Sequence, residues 1–457
     1  MNDFAIYNTQ SRDLQTVNVS GRPVHIYCCG PTVYRDAHVG NLRTFLLSDL
    51  ISRTLKLSGM DVLLIQNITD VGHMSEDFES EDKMLSQAKL EKTDPFEVAR
   101  KYEEKFHTDL ARLNIAPADS YPRASETIPG MLSSIQALID NGSAYVGESG
   151  SVYFSAQTYP SYGAISGNRL DSLKPGHRYE YSDDGEKKFH ADWALWKSAG
   201  NRTEMVWDSP WGRGFPGWHI ECTAMSLDLL DSHVDIHVGG IDLRFPHHEN
   251  ERAQSNSIIG REAVDLWVHG EHLLFEGRKM SKSANNVVLV EDLITQGLDP
   301  LSLRLALMEN RYRSQMDLTW DSLRAANSTL NRWRNAMAGW GTSETVGFDS
   351  EIHAALLADL DTPRAILRLR AVEKDQVLTP TQKREIFNYA DQVFALDLSR
   401  VVEVKPLSAE QQELLEKRAT ARSEKNWGES DRLRDLLSLD GIVVSDSPEG
   451  QSWSWIN

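Results

Sequence analysis

Three short segments of this 457-residue sequence carry residue types that can do chemistry. The first is residues 38–41, His-Val-Gly-Asn, which precede a helical pattern. A helix that begins in such a turn presents backbone N–H groups and the positive end of its dipole to an anion. The imidazole of His38 can add a donor to phosphate oxygens. The segment indicates phosphate binding, with an ordinary turn as the alternative, and the sequence has no G-x-x-x-x-G-K-[ST] loop.

The second segment is residues 277–283, Gly-Arg-Lys-Met-Ser-Lys-Ser. Lys279 and Lys282 lie three residues apart among serines and a glycine, which is typical of a mobile cationic loop. Such a loop suits the negative charge that develops on a triphosphate during its cleavage. The alternative interpretation is a solvated basic turn.

The third group combines thiol, imidazole and carboxyl side chains, the ligand types of tetrahedral Zn²⁺. His247 and Glu251 are spaced i and i+4, so on a helix they share one face, and Pro246 suits the first turn of that helix. His248 lies at i+3 from Glu251, so spacing leaves both histidines open. The alternative is a set of buried thiols with a helix cap. The sequence has three cysteines: Cys28, Cys29 and Cys222.

Composition limits the class of protein. The chain has 48 basic and 67 acidic residues, a net charge of −19, which argues against nucleic-acid binding by an overall positive field. With 40% hydrophobic and 25% charged residues it is globular rather than disordered or fibrous. Three cysteines give no disulfide framework, and no apolar run approaches the ~20 residues that cross a bilayer. We therefore expect a cytoplasmic protein without membrane association.

The elements that must position these groups follow a β-α-β order. Residues 24–29 are β-rich, residues 45–51 have a helical pattern, and residues 62–70 form a second apolar strand. This order predicts an α/β fold with a Rossmann-like, doubly wound parallel sheet. Sheet character returns at residues 234–240 and 265–269.

The pattern along the chain predicts three domains, in agreement with about 150 residues per domain. Two insertions interrupt the first: a helical arm at about residues 81–120 and an irregular stretch at about 147–217. The second is rich in Gly, Ser, Tyr, Trp and Pro and contains short strands such as residues 151–154. The predicted domains are a catalytic domain at residues 1–300, a helical bundle at 301–400 and a small α+β tail at 401–457.

The two candidate phosphate-binding segments, in this order and at this separation, resemble the nucleotide-binding signatures of class I aminoacyl-tRNA synthetases. Four further segments resemble the cysteinyl-tRNA synthetases in particular: residues 27–34, 67–70, 217–222 and 245–251. The similarity runs nearly end to end and includes residues 424–427 and 430–435 in the tail.

The resemblance implies a zinc ion held by four side chains: Cys29, Cys222, His247 and Glu251. Consecutive strand residues face opposite sides, so one of Cys28 and Cys29 faces the site, and the resemblance selects Cys29. The thiolate of the substrate cysteine would be a further zinc ligand, with a Zn–S bond of ~2.3 Å. Serine cannot form that bond, so the resemblance implies discrimination without an editing domain.

The resemblance also assigns roles to other residues. The catalytic set is His38, Asn41, Lys279 and Lys282. The remaining nucleotide-binding residues are Gly40, Gly239, Gly240, Asp242 and Ser281. The cysteine pocket takes Gly30, Thr69, Trp218 and His237, with a core aromatic as the alternative for Trp218. Asn41 stands where many relatives have histidine, and we expect it to tune rather than abolish activity.

The implied reaction activates L-cysteine with ATP and Mg²⁺ to cysteinyl-adenylate and pyrophosphate, then transfers cysteine to the 3′ end of tRNA(Cys). The chain would act as a monomer. A cysteine ligase that joins activated cysteine to an amino sugar, as in mycothiol synthesis, is the alternative, and the tail disfavours it. Binding of tRNA to an acidic protein needs confined basic strips, for which the candidates are Arg364, Arg368, Arg370, Lys417, Arg418, Arg422 and Lys425.

Overall fold

The computed structural model describes residues 3–72, 74–75, 78–173, 185–280, 286–401, 407–447 and 450–455. Its strands are β1 Ala5–Asn8, β2 Asp13–Thr16, β3 Val24–Cys28, β4 Val62–Gln66, β5 Met74–Ser75, β6 Phe78–Asp82, β7 Ala144–Val146, β8 Val152–Phe154, β9 Trp193–Ser198, β10 Gly214–Pro216, β11 Val234–Gly240, β12 Val264–Gly270, β13 Leu273–Phe275, β14 Arg278–Lys279, β15 Met316–Leu318, β16 Ile442–Ser447 and β17 Gly450–Trp455. Its helices are α1 Val39–Leu57, α2 Lys83–Glu91, α3 Pro95–Arg112, α4 Ile128–Asp140, α5 Trp218–Leu229, α6 Glu249–Ile259, α7 Val290–Thr295, α8 Leu301–Met308, α9 Trp320–Gly339, α10 Ser350–Leu357, α11 Thr362–Lys374, α12 Pro380–Phe394, α13 Ala409–Ser423 and α14 Trp427–Leu439.

A parallel sheet in the order β12-β11-β3-β4 forms the centre of the fold. Every residue of β3 and β11 is buried, as expected for strands covered by helices on both faces. The chain leaves β3 through α1 to reach β4 on one side, whereas β11 pairs with β3 on the other. The predicted α/β class is confirmed, and the strand order reverses next to β3, where such sheets bind ligands.

Helix α1 covers this sheet and continues into the main core. The ring of Phe45 on α1 packs edge-on against the ring of Phe106 on α3, with centroids 4.9 Å apart. The segment predicted as an inserted helical arm forms α2 and α3, and Val98, Phe106 and Leu110 of α3 are buried in the same core as α1. Helix α3 therefore supports the helix that follows the first phosphate-binding segment.

The stretch predicted as an irregular insertion is more regular than the sequence indicates. Residues 144–216 contain an antiparallel sheet in the order β10-β9-β8-β7. The strand predicted at residues 151–154 is β8. The four strands are only three to six residues long, too short for alternation to reveal the sheet as a whole. Stacking of Phe154 on Trp193, with centroids 4.4 Å apart, anchors this sheet in a second core beside α4, α5 and α6.

Helices α8 to α12 share their core with the parallel sheet. Strand β15 pairs in parallel with β13, so a three-stranded sheet crosses the predicted boundary at residue 300. Thr379 caps α12 and Pro380 occupies its first turn, as expected for a helix start. Within the described part of the chain, no helix is both long and apolar enough to span a membrane.

The tail forms its own small core from Leu415, Leu437, Ile442 and Val444. Helices α13 and α14 pack on the β16–β17 hairpin, whose second strand the sequence pattern did not predict. Arg418 is fully buried, and its guanidinium donates to both carboxylate oxygens of Asp446 at 2.9 and 2.8 Å. The predicted tRNA contact through Arg418 is therefore wrong: this arginine holds helix and hairpin together.

Candidate active site and metal centre

A cleft of about 360 Å³ opens beside the carboxyl ends of β3, β11 and β12. The residues predicted for the nucleotide and cysteine sites that line it are Cys29, Gly30, His38, Gly40, Asn41, Trp218, Gly240, Asp242 and Lys279. Thr69 and His237 are buried and do not line it. Ser281 and Lys282 lie outside the described residues. One cleft thus brings together residues from opposite ends of the predicted catalytic domain, residues 1–300.

His38 is the N-cap of α1, so the first predicted segment is a helix start. Its Nδ1 accepts a hydrogen bond from the backbone N–H of Asn41 at 3.2 Å, and the Asn41 side-chain oxygen accepts from the backbone N–H of His38 at 3.2 Å. This reciprocal pair is a capping box. Because Nδ1 accepts, the neutral ring carries its proton on Nε2, the atom available to a phosphate oxygen.

His38 is expected to stay neutral across the physiological pH range. Burial, reinforced by the nearby Arg35 guanidinium, lowers the pKa of His38 from its ordinary 6.5 to about 4. Because the folded state resists protonation, the stabilising contribution of His38 is complete above pH 6.5 and is lost as the pH falls towards 4.

In an NMR titration, with His38→Asn used for assignment, the His38 Cε1 signal should stay constant between pH values of about 5.5 and 8. A midpoint near 6.5 would contradict this assignment.

Glycines allow backbone and ring groups to approach closely around the cleft. A Cβ on Gly30 would lie 1.6 Å from the carbonyl oxygen of Asn67, and a Cβ on Gly240 would lie 2.4 Å from an Asp242 carboxylate oxygen. A Cβ on Gly239 would meet the His248 ring at 2.4 Å. Gly240 therefore shapes the nucleotide end of the cleft, whereas Gly239 packs against a buried histidine.

The second predicted segment begins on the β13–β14 hairpin. Glu276 and Gly277 adopt positive φ angles of 49° and 74° in its two-residue turn. The backbone N–H of Gly277 donates to the Asp317 carboxylate at 2.8 Å, which holds the turn against β15. Lys279 lines the cleft, and Met280 beside it is buried, with its terminal methyl 2.9 Å from a Cβ built on Gly40.

A cluster of buried metal-ligand types lies at the inner end of the cleft. Cys29 follows β3 and Cys222 lies on α5, whereas His247 lies in the helical turn just before α6 and Glu251 in the first turn of α6. The Cys29 and Cys222 Sγ atoms are 3.9 Å apart, and Cys29 Sγ is 3.5 Å from Glu251 Oε1. Tetrahedral zinc requires sulfur–sulfur separations of about 3.8 Å and sulfur–oxygen separations of about 3.5 Å. The predicted set of four therefore fits a zinc ion, and its donor atoms all lie within 4.8 Å of one another.

A second set of four shares Cys29 and Glu251 but takes His237 and His248 in place of Cys222 and His247. Both of these histidine Nε2 atoms lie 3.4 Å from Cys29 Sγ. The His247 ring, in contrast, packs at 4.3 Å on the ring of Trp218, which lines the cleft. Access to substrate therefore favours the first set, whereas geometry alone allows both.

The strand geometry separates the two adjacent cysteines as predicted. Cys28 is buried in the core shared with α1, whereas Cys29 belongs to the second core and faces the metal-ligand cluster. Burial raises the pKa of Cys28 to about 12, so it stays a neutral thiol.

Burial also controls protonation within the cluster. Desolvation raises the pKa of Cys29 and of Glu251 well above their ordinary values, and lowers the pKa of His237 and His248. A cation would reverse the first two effects by favouring thiolate and carboxylate. Cys29 and Glu251 therefore need a bound positive charge to take their ligand forms, whereas the neutral histidines are already in theirs.

Sequence reasoning missed several residues that orient this cluster. His219 Nδ1 lies 2.8 Å from His247 Nδ1, and His269 Nε2 lies 2.9 Å from His248 Nδ1. Ring contacts of this kind fix which nitrogen a histidine offers to a metal. One of them could have been found from the sequence, because His219 lies in the same segment as Cys222, three residues before it.

Known protein families match both the catalytic part and the tail of this chain. A family model described as "tRNA synthetases class I (C) catalytic domain" matches residues 15–328, and one described as "Cysteinyl-tRNA ligase anticodon binding domain" matches residues 405–453. The cysteine–tRNA ligase of Thermus thermophilus is 41% identical over 459 residues, which cover 94% of each chain. The chain belongs to the cysteine–tRNA ligase family. The family member from Chlamydia caviae is 37% identical over 97% of this chain and 96% of its own.

More distant structures share the fold of this cysteine–tRNA ligase family member. A leucyl-tRNA synthetase of Agrobacterium radiobacter, solved in a ternary complex with tRNA, superposes with a TM-score of 0.60 at 10% identity, over 83% of this chain and 84% of its own. A Mycobacterium tuberculosis methionyl-tRNA synthetase gives a TM-score of 0.55 at 13% identity, over 82% and 89%. These matches support the class I architecture.

Most candidate tRNA-binding cations already have acidic partners. Arg368 pairs with Asp349, Arg370 with Glu309, and Lys417 with Glu413. Arg422 contacts Asp446 at 3.1 Å and lies 5.7 Å from the centroid of the exposed Trp427 ring. Arg364 and Lys425 are exposed on the surface. Contacts of these exposed cations with tRNA therefore stay predictions, and of the candidates only Arg418 is excluded by burial.

Proposed function

We propose that this chain activates L-cysteine with ATP and transfers it to the 3′ end of tRNA(Cys), acting as a cytoplasmic monomer. As a member of its family it is a ligase that forms an aminoacyl-tRNA. The observation that carries the cysteine assignment is one cleft that joins Cys29 to His38 and Lys279, in a chain whose tail matches an anticodon-binding domain.

In the first step the cysteine carboxylate attacks the α-phosphorus of ATP. A carboxylate O–P bond forms, the P–O bond to the β-phosphate breaks, and pyrophosphate leaves with its electron pair. His38 Nε2–H donates to the phosphates, and the N-terminal N–H groups of α1 add positive potential. Lys279 and Lys282 neutralise the charge that builds on pyrophosphate.

In the second step a hydroxyl of the terminal tRNA ribose attacks the carbonyl carbon of cysteinyl-adenylate. An ester bond forms, the acyl–phosphate bond breaks, and AMP leaves. The protein's contribution is to hold both reactants in line, since positioning supplies much of the rate in such transfers.

Cys29, Cys222, His247 and Glu251 would hold a zinc ion beside Trp218. Bound there, zinc supplies a soft Lewis acid that binds the substrate thiolate and rejects the hydroxyl of serine. Asn67 Oδ1 lies 3.7 Å from Cys222 Sγ, and the side-chain amide of Asn67 donates to Thr69 Oγ1 at 3.1 Å. Asn67 and Thr69 are buried, so their proposed role is to hold the cysteine pocket in place from behind.

The proposed function predicts cysteine-dependent ATP–pyrophosphate exchange and charging of tRNA(Cys) by the purified chain. Serine at the same concentration should give no exchange, and a transcript of another tRNA is the control for charging. Exchange without charging, together with cysteine transfer to an amino sugar, would instead support the alternative ligase.

A further inference from the structure

Arg43 of α1 is a buried cation with no acidic partner among its described hydrogen bonds. Only 5% of the residue is exposed. One terminal nitrogen of its guanidinium, Nη1, donates to the carbonyl oxygens of Glu271 and His272 at 2.7 and 3.0 Å. The other, Nη2, donates to the carbonyl oxygens of Arg311 and Ser314 at 3.1 and 2.8 Å. A single side chain therefore holds two separate backbone segments.

These two segments lead into the strands that carry the lysine hairpin. Residues 271–272 enter β13, and residues 311–314 enter β15, which pairs with β13 from Leu273 and Met316 onwards. Strand β14, which bears Lys279, pairs with β13 through Leu274. The position of Lys279 is thus set by strands whose entry points are fixed by Arg43.

The same arginine is fixed relative to the first phosphate-binding segment. Arg43 lies five residues after His38 on α1, about 7.5 Å along the helix axis. The backbone N–H of Val39 also donates to the carbonyl oxygen of Val288 at 3.0 Å, beyond the lysine segment. Helix α1 therefore contacts the chain that follows the lysine segment at its first turn, and the segments that enter β13 and β15 at Arg43.

We propose that Arg43 is a positioning residue that sets the separation between the His38–Asn41 helix start and Lys279, and so aligns the two groups on one triphosphate. This inference rests on the proposed function. Lysine cannot substitute for Arg43, because an ammonium group is a point donor whereas the guanidinium fork reaches both segments at once.

The test compares Arg43→Lys and Arg43→Gln with a matched control, Arg334→Lys. Arg334 on α9 is also buried and donates to the carbonyl oxygens of Leu396 and Asp397 at 2.7 and 3.0 Å. Unlike Arg43 it also has an acidic partner, Asp299, at 2.6 Å, and none of these contacts reaches the lysine hairpin. All three variants should melt at lower temperature. In cysteine-dependent exchange, Arg43→Lys should lower kcat/KM for ATP by about 100-fold, with the KM for cysteine unchanged. Arg334→Lys should exchange at the wild-type rate.

Equal loss in Arg43→Lys and Arg334→Lys, or a parallel change in the KM for cysteine, would overturn the positioning role. If neither Arg43 variant folds, Arg43 is required for folding and the proposal is rejected. If the wild-type chain shows no exchange, the proposed function fails. In that case the affinity for a non-hydrolysable ATP analogue tests the role of Arg43 by itself. It should weaken by about tenfold in Arg43→Lys and stay unchanged in Arg334→Lys.

Discussion

Cys222→Ser is expected to remove zinc from the purified protein and to lower kcat/KM for cysteine by about a thousandfold. The serine hydroxyl stays protonated and is a poor ligand for zinc, so the set of four loses a thiolate. Cys222 is 3.9 Å from Cys29 and lies on α5, away from the nucleotide end of the cleft. Zinc content and exchange should therefore fall together, whereas binding of ATP should persist.

Cys28→Ala is the matched control, since Cys28 is an equally buried thiol that faces the opposite core. It should keep full zinc content and exchange while losing about 1 kcal/mol of stability to unfolding. A metal-free Cys222→Ser protein that activates cysteine at the wild-type rate would rule out the proposed metal role.

The same assay decides between the two overlapping ligand sets. If zinc uses Cys222 and His247, then His247→Ala should lose the metal, whereas His248→Ala should retain one zinc per chain. The reverse pattern would place the metal between His237 and His248, whose Nε2 atoms lie equally close to Cys29 Sγ.

The parts of this molecule that sequence predicts are those in which local pattern and structure coincide. The segment around His38 is predicted as a helix start because a glycine-bearing turn precedes an apolar helical pattern, and the structure has a capping box there. The alternating faces of a strand separate Cys28 from Cys29, and the i, i+4 spacing brings His247 Nε2 to 2.9 Å from Glu251 Oε1. Each of these inferences needs only a few neighbouring residues.

Other features depend on contacts that leave no trace in local sequence. His237 reaches the metal cluster because β11 lies beside β3, and His269 follows because β12 lies beside β11. The hydrogen-bond acceptors of Arg43 are backbone carbonyl oxygens, which every residue has. No sequence motif therefore identifies Arg43 as a positioning residue. Arg418 reads as a surface cation from its charged helix, and only the hairpin with Asp446 makes it a buried one.

Lys279→Ala is expected to lower kcat for cysteine-dependent exchange by about 100- to 1000-fold, with little change in the KM for cysteine. The side chain of Lys279 lines the nucleotide cleft together with His38 and Asn41. Charge on the leaving pyrophosphate grows as the reaction proceeds, so removal of this cation costs more in the transition state than in the bound substrate. The metal-ligand cluster, which is formed by other elements, should be unaffected.

Arg278→Ala separates this effect from a general loss of positive charge. Arg278 and Lys279 are adjacent, exposed cations on β14, and consecutive strand residues point to opposite faces. Arg278 lines a different hollow, beside Phe275 and Trp320, so its removal should leave exchange within about twofold of wild type. Equal losses in Arg278→Ala and Lys279→Ala would indicate long-range electrostatic attraction of ATP and not transition-state stabilisation.

Lys282→Ala should lower exchange as much as Lys279→Ala does, because both lysines are assigned to the same pyrophosphate. Wild-type exchange in Lys282→Ala would remove Lys282 from the proposed mechanism.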